Sequence, residues 1–139
     1  MEIITERLEL HTRGNTDILD ITPNLQQILN KSKLTEGQML VFVIGSTGAL
    51  TTLEYEPGLV KDMKNLLDKI IPFNKNAAHN QAWHDDNGHS HLRASLTGPS
   101  INIPFQNGQL ILGTWQQVIF IDYDNRPRSR QIAVQLLGK

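Results

Sequence analysis

The run Val118-Ile119-Phe120-Ile121 constrains the fold of this chain more than any other feature. β-Branched and aromatic residues favour a β-strand, and the side chains of a strand point alternately to the two faces of its sheet. Both faces of this strand must therefore be covered by other apolar groups. In a chain of 139 residues, that coverage demands a second layer. We predict that a second sheet and a neighbouring subunit share this task.

Other segments of the chain also have the patterns of strands. Alternating apolar and polar residues around Leu8 and around Val134 predict half-buried strands, whereas the continuous apolar run before Gly45 predicts a central one. Asn107-Gly108 is typical of a tight hairpin turn. Because proline has no N–H to donate, Pro104 indicates that its strand lies at an edge or has this backbone position directed outward. The predicted strands comprise residues 3–11, 38–44, 49–55, 101–105, 110–112, 115–123 and 132–136.

Two segments are predicted to be helices. Thr22 as N-cap with Pro23 at the first helical position begins one that ends near residues 31–33. The other follows Pro57, carries apolar residues at helical spacing and is ended by Pro72. We therefore predict one α+β domain spanning residues 1–139, with a mostly antiparallel, sandwich-like sheet and two or three helices.

Composition narrows the classes of function. A formal charge of −1 gives no general attraction to nucleic acid or to an anionic membrane. No apolar run approaches the ~20 residues that a membrane-spanning helix needs, and the first residues lack the pattern of a signal peptide. The chain has no cysteine, which excludes disulfides and thiolate chemistry and favours a cytoplasmic location.

Four of the five histidines lie between His79 and His91. Imidazole is a common metal ligand and exchanges protons near neutral pH, and the acidic stretch Asp85-Asp86-Asn87 among the histidines adds oxygen ligands. We predict a loop here and β structure from Leu92 onward. If a strand begins at Gly88, His89 and His91 share a face. The alternative is a polar loop whose histidines are merely solvated or packed.

Two further features could bind an anion. Gly45-Ser46-Thr47-Gly48 follows a buried strand and offers free N–H groups and two hydroxyls. Arg126, Arg128 and Arg130 alternate near the C-terminal end, and Arg93 lies close in sequence to the histidines; guanidinium groups bind phosphate in bidentate fashion. The alternatives are an ordinary turn and arginines that only solubilise the surface.

The chain resembles the YjbQ family, a group described as secondary thiamine-phosphate synthases. The resemblance covers about residues 39–137 and rests on a long pattern of Gly, Pro and Trp. It includes Asp62-Met63, Ser90-His91-Leu92-Arg93-Ala94-Ser95, Pro99-Ser100, Pro104, Gly108, Gly113-Thr114-Trp115-Gln116 and Ser129-Arg130.

The resemblance implies a compact α+β fold, a homotrimer and a metal-associated histidine site. It also implies an ability, thought secondary, to join a pyrimidine diphosphate to a thiazole phosphate. His79 and His91 match family histidines, with Asp86 and Asn87 in the stretch between them. Many relatives have a histidine where this chain has Gly45. Either that histidine is dispensable or His84 or His89 replaces it.

The leading hypothesis is an enzyme that joins or cleaves phosphorylated small molecules in a pocket lined by a homotrimer. His79, His91 and Asp86 are the predicted catalytic residues, and His79, His91 and His89 (or His84) would hold a divalent ion, zinc or magnesium, that neutralises a leaving diphosphate. The predicted ligands of the phosphates are Ser46, Thr47, Arg93 and Arg130. The alternatives are a metal-dependent metabolite-binding protein without turnover and a metallohydrolase.

Overall fold

A computed structural model describes all residues from Met1 to Lys139. Eight strands and four helices follow one another along the chain. In order they are β1 (Glu2–Thr12), β2 (Asp17–Asp20), α1 (Thr22–Ser32), β3 (Glu36–Ile44), β4 (Gly48–Leu53), α2 (Pro57–Ile70), α3 (Ala78–Trp83), α4 (Gly88–Thr97), β5 (Ser100–Gln106), β6 (Gln109–Leu110), β7 (Gln117–Asp122) and β8 (Arg128–Gly138). No helix is both long and apolar enough to span a bilayer.

The strands form two antiparallel sheets. The larger has five strands in the order β1-β8-β3-β5-β6, and the smaller has three in the order β2-β7-β4. Apolar side chains from the facing surfaces of both sheets, among them Val41, Val134 and Phe120, form one core together with Leu25 and Leu29 of α1. The predicted α+β class, the sandwich of antiparallel sheets and the hairpin at Asn107-Gly108 are confirmed.

The strand β7 lies at the centre of the smaller sheet and is buried on both faces. Val118 and Phe120 belong to the core between the sheets. Ile119 and Ile121 point the other way, into a second core closed by Leu67 of α2 and Ala94 of α4. The second sheet predicted for this strand is confirmed. The predicted neighbouring subunit is not needed here, because the chain covers the other face with its own helices.

The histidine-rich segment contains two helices where we predicted a loop and a strand. α3 and α4 raise the number of helices to four, above the two or three predicted. The apolar pattern is misleading in α4 because Leu92 and Leu96 are 61% and 72% exposed, whereas Arg93 and Ser90 are buried. The helix thus packs a polar side inward, and a search for an apolar face does not find it.

The first two helices begin and end as predicted, except that Thr22 is the first residue of α1 and not its N-cap. α1 ends at Ser32, as expected, but begins at Thr22 itself. The Thr22 hydroxyl accepts a hydrogen bond from the Val118 N–H at 2.8 Å, so it ties the helix to β7 instead of capping it. In α2, the Glu56 carboxylate caps the helix by accepting from the N–H groups of Gly58 and Leu59.

The outer face of the five-stranded sheet is apolar along β3. Met39, Val41 and Val43 are buried, but Leu40, Phe42 and Ile44 on the opposite face are 40–44% exposed. The strand is central, as predicted, yet only one of its faces is covered within a single copy. A row of exposed large apolar side chains favours association. This face, rather than β7, is where a homotrimer would gain buried area.

We therefore predict that Phe42→Asp converts a homotrimer to monomer, because a carboxylate in the centre of an apolar contact loses its hydration without a partner. Sedimentation velocity at micromolar concentration measures the change. The control is Leu66→Asp, an exposed apolar residue of α2. A wild-type protein that sediments as a monomer would contradict trimerisation altogether.

Candidate functional site

The candidate site lies where the chain passes twice between the sheets. Gly45–Thr47 joins β3 of the larger sheet to β4 of the smaller one, and Tyr123–Pro127 joins β7 to β8. The Tyr123 N–H donates to the Thr47 carbonyl at 2.9 Å, which fixes one connection against the other. The start of α4 packs beside them. A cleft of about 330 Å³, here called the turn–helix cleft, separates Gly45-Ser46 from His91 and Ser95 of α4.

His79 and His91, both predicted site residues, lie side by side, and His91 lines the cleft. Their ring centroids are 4.5 Å apart, at an angle of 44°. The Nδ1 atom of His79 is buried, has no hydrogen-bond partner and lies 3.4 Å from Oδ1 of Asp85. The carboxylate beside the pair is therefore Asp85. Asp86, the predicted catalytic carboxylate, is exposed in a left-handed conformation (φ 57°) on the connecting loop.

The environment of His91 favours its neutral form. Burial is the main cause that lowers the pKa of its imidazole, and the positive charge of a protonated His79 adds to it. The carboxylates of Asp124 and Asp85 and the Ser46 backbone oppose this shift. His91 and the Gly45-Ser46 turn face each other across the cleft.

The other two histidines of the segment lie elsewhere. His89 is two residues before His91 on a helix, so the two side chains point about 200° apart around its axis. Its ring packs edge-on against Phe73, with centroids 5.3 Å apart. His84 is exposed and ends α3 in a left-handed conformation. Neither histidine takes the place of a side chain at Gly45, so that expectation is wrong.

Arg130 reaches the site, but most of its guanidinium is already bound. Nε and Nη2 donate to the two oxygens of the buried Asp122 at 2.8 and 2.7 Å, and Nη2 also donates to the Thr47 hydroxyl at 2.6 Å. A methyl group added at Gly45 would lie 3.2 Å from Nη1, so this nitrogen faces the turn. Thr47 in turn donates to Asp124. Of the two predicted hydroxyls, only that of Ser46 is left for a ligand.

A second buried carboxylate, Asp124, organises the neighbouring side chains. Nε of Arg128 donates to its Oδ2 at 2.7 Å, and the Asn87 amide donates to its Oδ1 at 3.2 Å. Hydrogen bonds from the Asn125 N–H, Asn87 and Arg128 outweigh burial and lower the pKa of Asp124, which is therefore ionised. Neither Asp122 nor Asp124 is among the site residues predicted from the sequence. Their signal was available, since Asp-Tyr-Asp ends a buried strand and two arginines follow at the same spacing.

Arg93 lies on another side of α4 and is only 5% exposed. It donates to the carbonyls of Ile71 and Leu67 and to Asp68, at the C-terminal end of α2, and to the Thr16 hydroxyl. These bonds satisfy carbonyls that a helix end leaves without partners. The predicted phosphate ligand is instead a brace between two helices, directed away from the turn–helix cleft.

The predicted metal ligands His79, His89 and His91 do not converge, because α4 separates the last two. No group of three or more His, Cys, Asp or Glu side chains is arranged to hold a metal ion. His79, His91 and Asp85 have suitable donor atoms for zinc, but their positions would have to change. As they stand, these residues do not fit the predicted ion.

Known proteins resemble the chain along its whole length. A protein of Methanothermobacter thermautotrophicus, named only as a UPF0047 protein, is 37% identical over 139 residues, which are 100% of this chain and 95% of that protein. The UPF0047 protein of Archaeoglobus fulgidus is 35% identical and covers 94% of this chain and 98% of its own length.

Solved structures agree with the fold. A YbjQ-like protein of unknown function from Sulfolobus solfataricus P2 superimposes with a TM-score of 0.93 at 31% identity, covering 99% of each chain. A hypothetical protein from Aeropyrum pernix K1 gives a TM-score of 0.90 at 30% identity, covering 100% of each. The family model described as "UPF0047 protein YjbQ-like" matches residues 6–139. The chain therefore belongs to the YjbQ (UPF0047) family.

Proposed function

We propose that the turn–helix cleft binds a phosphorylated small molecule and that the His79–His91 pair exchanges a proton with it. The observation that carries this proposal is the pair itself: two imidazoles 4.5 Å apart, one of which, His91, lines the cleft opposite the Gly45-Ser46 turn. Two positive charges so close together are unfavourable, so the pair holds one proton more readily than two. It can pass that proton to or from a phosphate, whose second pKa is about 6.

Three groups at the cleft could bind the phosphate. The backbone of the Gly45–Gly48 turn offers N–H groups, the Ser46 side chain is exposed, and Nη1 of Arg130 faces the turn. The charge of Arg130 is largely neutralised by Asp122. Its contribution is therefore a directed N–H donor rather than a free positive charge.

The reaction that we propose is the formation of thiamine phosphate. The bond between the pyrimidine methylene carbon and the diphosphate oxygen breaks, and pyrophosphate departs with the electron pair. The same carbon then bonds to the thiazole nitrogen. The main demand on the protein is to stabilise the charge of the leaving group. Donors from the turn meet that demand, and a proton from the histidine pair would lower the charge further.

The alternative functions differ in whether the protein converts its ligand to a product and in whether it needs a metal ion. A metabolite-binding protein would bind pyrophosphate in calorimetry without forming product. A metallohydrolase, or a transferase that uses an ion, would need His79, His91 and Asp85 to close around it. Metal analysis of protein purified without a histidine tag separates these classes. An ion that persists in His91→Ala would exclude the pair as its ligands.

The first test of the proposed function is the activity of His91→Gln. We expect the rate of thiamine phosphate formation to fall by about 10²- to 10⁴-fold, the usual contribution of a proton-transferring group. Thiochrome fluorescence measures the product, and the exposed His84→Gln is the control. Because the pKa of His91 is lowered, activity that needs its protonated form to donate the proton should fall as pH rises, with a midpoint below pH ~6.5. Equal rates for both variants would contradict the role of His91.

A second test concerns the free donor of Arg130. Gly45→Ala places a methyl group 3.2 Å from Nη1, at a position where a φ of +158° also strains a side chain, and should screen this nitrogen from the ligand. We expect pyrophosphate affinity to fall by about 1.5 kcal/mol, the lower range for a hydrogen bond to a charged group. Titration calorimetry decides it. Gly108→Ala is the control, since its φ of +71° also strains a side chain but its added methyl group meets nothing within 4 Å.

Removal of the whole Arg130 side chain should lower the free energy of unfolding. Arg130→Ala leaves Asp122, which is fully buried, without its cation, and breaking a buried pair in this way costs about 3–5 kcal/mol. Urea denaturation monitored by circular dichroism measures the loss. Arg126→Ala, in the exposed part of the same connection, should change the free energy of unfolding by less than ~0.5 kcal/mol. A similar small effect for Arg130→Ala would disprove the structural role.

A further inference from the structure

A second cleft lies on the opposite side of α4 from His91. Its volume is about 440 Å³, within the usual range of small-molecule sites. The end of α2 contributes Ile70 and Ile71, and α4 contributes Leu92 and Leu96. Pro72 and His89 are also in the wall. We call it the α2–α4 cleft.

The walls of this cleft are held in place by buried polar side chains. Arg93 ties α4 to the end of α2 through the Ile71 and Leu67 carbonyls, at 2.9 and 3.4 Å. Asn80 donates to the Asn74 carbonyl at 2.9 Å and accepts from the Gly88 N–H at 3.0 Å, which fixes the intervening loop to the start of α4. Both side chains are about 95% buried. The cleft is therefore preformed, and a ligand would pay little to order it.

The cleft keeps large apolar groups in contact with water. Ile70, Leu92 and Leu96 are 55%, 61% and 72% exposed, although buried polar residues occupy the inward side of the same helix. Burying these side chains would gain roughly 25 cal/mol for each Å² removed from water. A concave, braced surface of this kind is suited to an apolar ligand.

The charge of the cleft selects the kind of ligand. None of its lining residues is Lys, Arg, Asp or Glu. The His89 ring is packed against Phe73, and its Nδ1 is buried without a hydrogen-bond partner. We propose that the α2–α4 cleft binds an uncharged apolar small molecule.

This site is independent of the turn–helix cleft, because its lining contains neither His79 nor His91. A small molecule is favoured over a second copy of the chain by the concave shape and by the braces behind it. Self-association through this cleft would instead appear as a change in the sedimenting mass of the variants.

Two fluorescent probes with the same aromatic framework test the proposal on the wild-type protein. N-Phenyl-1-naphthylamine is uncharged, and 8-anilino-1-naphthalenesulfonate adds one sulfonate. We expect saturable binding of the uncharged probe with one site per chain, at least tenfold tighter than that of the sulfonate. Absence of saturable binding, or tighter binding of the sulfonate, would overturn the proposal.

Variants locate the bound probe. Leu92→Gln/Leu96→Gln should weaken binding of the uncharged probe by at least tenfold. Both residues are exposed, and glutamine is a good helix former, so the fold is retained. Leu66→Gln changes an equally exposed leucine of α2 outside the lining and should bind as wild type. Equal weakening in both proteins would contradict the site. A lower sedimenting mass for the double variant would show instead that a second copy fills the cleft.

Discussion

The ion pair between Arg130 and Asp122 is the interaction on which the candidate site depends. Arg130 belongs to β8 of the larger sheet, and Asp122 ends β7 of the smaller one. Their two hydrogen bonds, at 2.7 and 2.8 Å, therefore join the sheets at one end of the sandwich. A carboxylate that is fully buried must be paired to remain ionised. The same guanidinium binds Thr47, so the turn that faces His91 across the cleft is fixed by the same pair.

Such a pair is weak evidence for stability, because burying two charges costs about as much as their attraction returns. Its role here is to fix the relative positions of the chain segments that it joins. Two short connections, residues 45–47 and 123–127, pass between the sheets side by side, and neither is a regular element that could fix itself. The Tyr123 N–H donates to the Thr47 carbonyl and the Thr47 hydroxyl donates to Asp124, and these bonds join one connection to the other. The polar cluster thus replaces secondary structure at the point where the chain changes sheets.

The sequence predicted the parts of the fold in which burial has a clear period. Strands β1 and β8 alternate, and α2 repeats at helical spacing, so their faces could be assigned from residue types alone. The helix α4 could not be found in this way. Its apolar Leu92 and Leu96 are exposed, and its inward side carries Ser90 and Arg93. The residue type does not tell whether a polar side chain is buried and hydrogen-bonded or exposed to water. Only the position of its hydrogen-bond partners in the fold distinguishes the two cases.

The same limit applied to the candidate site. His79 and His91 were found because imidazoles are rare and clustered, and Arg130 because arginines alternate before the last strand. Arg93 was misassigned because nearness in sequence to the histidines does not determine the side of the helix. Asp122 and Asp124 were overlooked because they follow an apolar strand and look like the start of a solvated turn. Their burial depends on α4 and on residues 45–48, which lie more than 25 residues away in sequence.

Helix α4 has an unusual position because each of its sides contributes to a different cleft. Asn87 at its start binds Asp124, and Arg93 in its middle binds the end of α2. These two attachments prevent the helix from rotating about its axis without breaking buried hydrogen bonds, each worth about 1 kcal/mol or more. His91 is therefore held toward the polar turn and His89 toward the apolar cleft. The two imidazoles, two residues apart in the chain, are thereby placed in environments that differ in polarity, and each is directed to the kind of molecule its own side of the helix can hold.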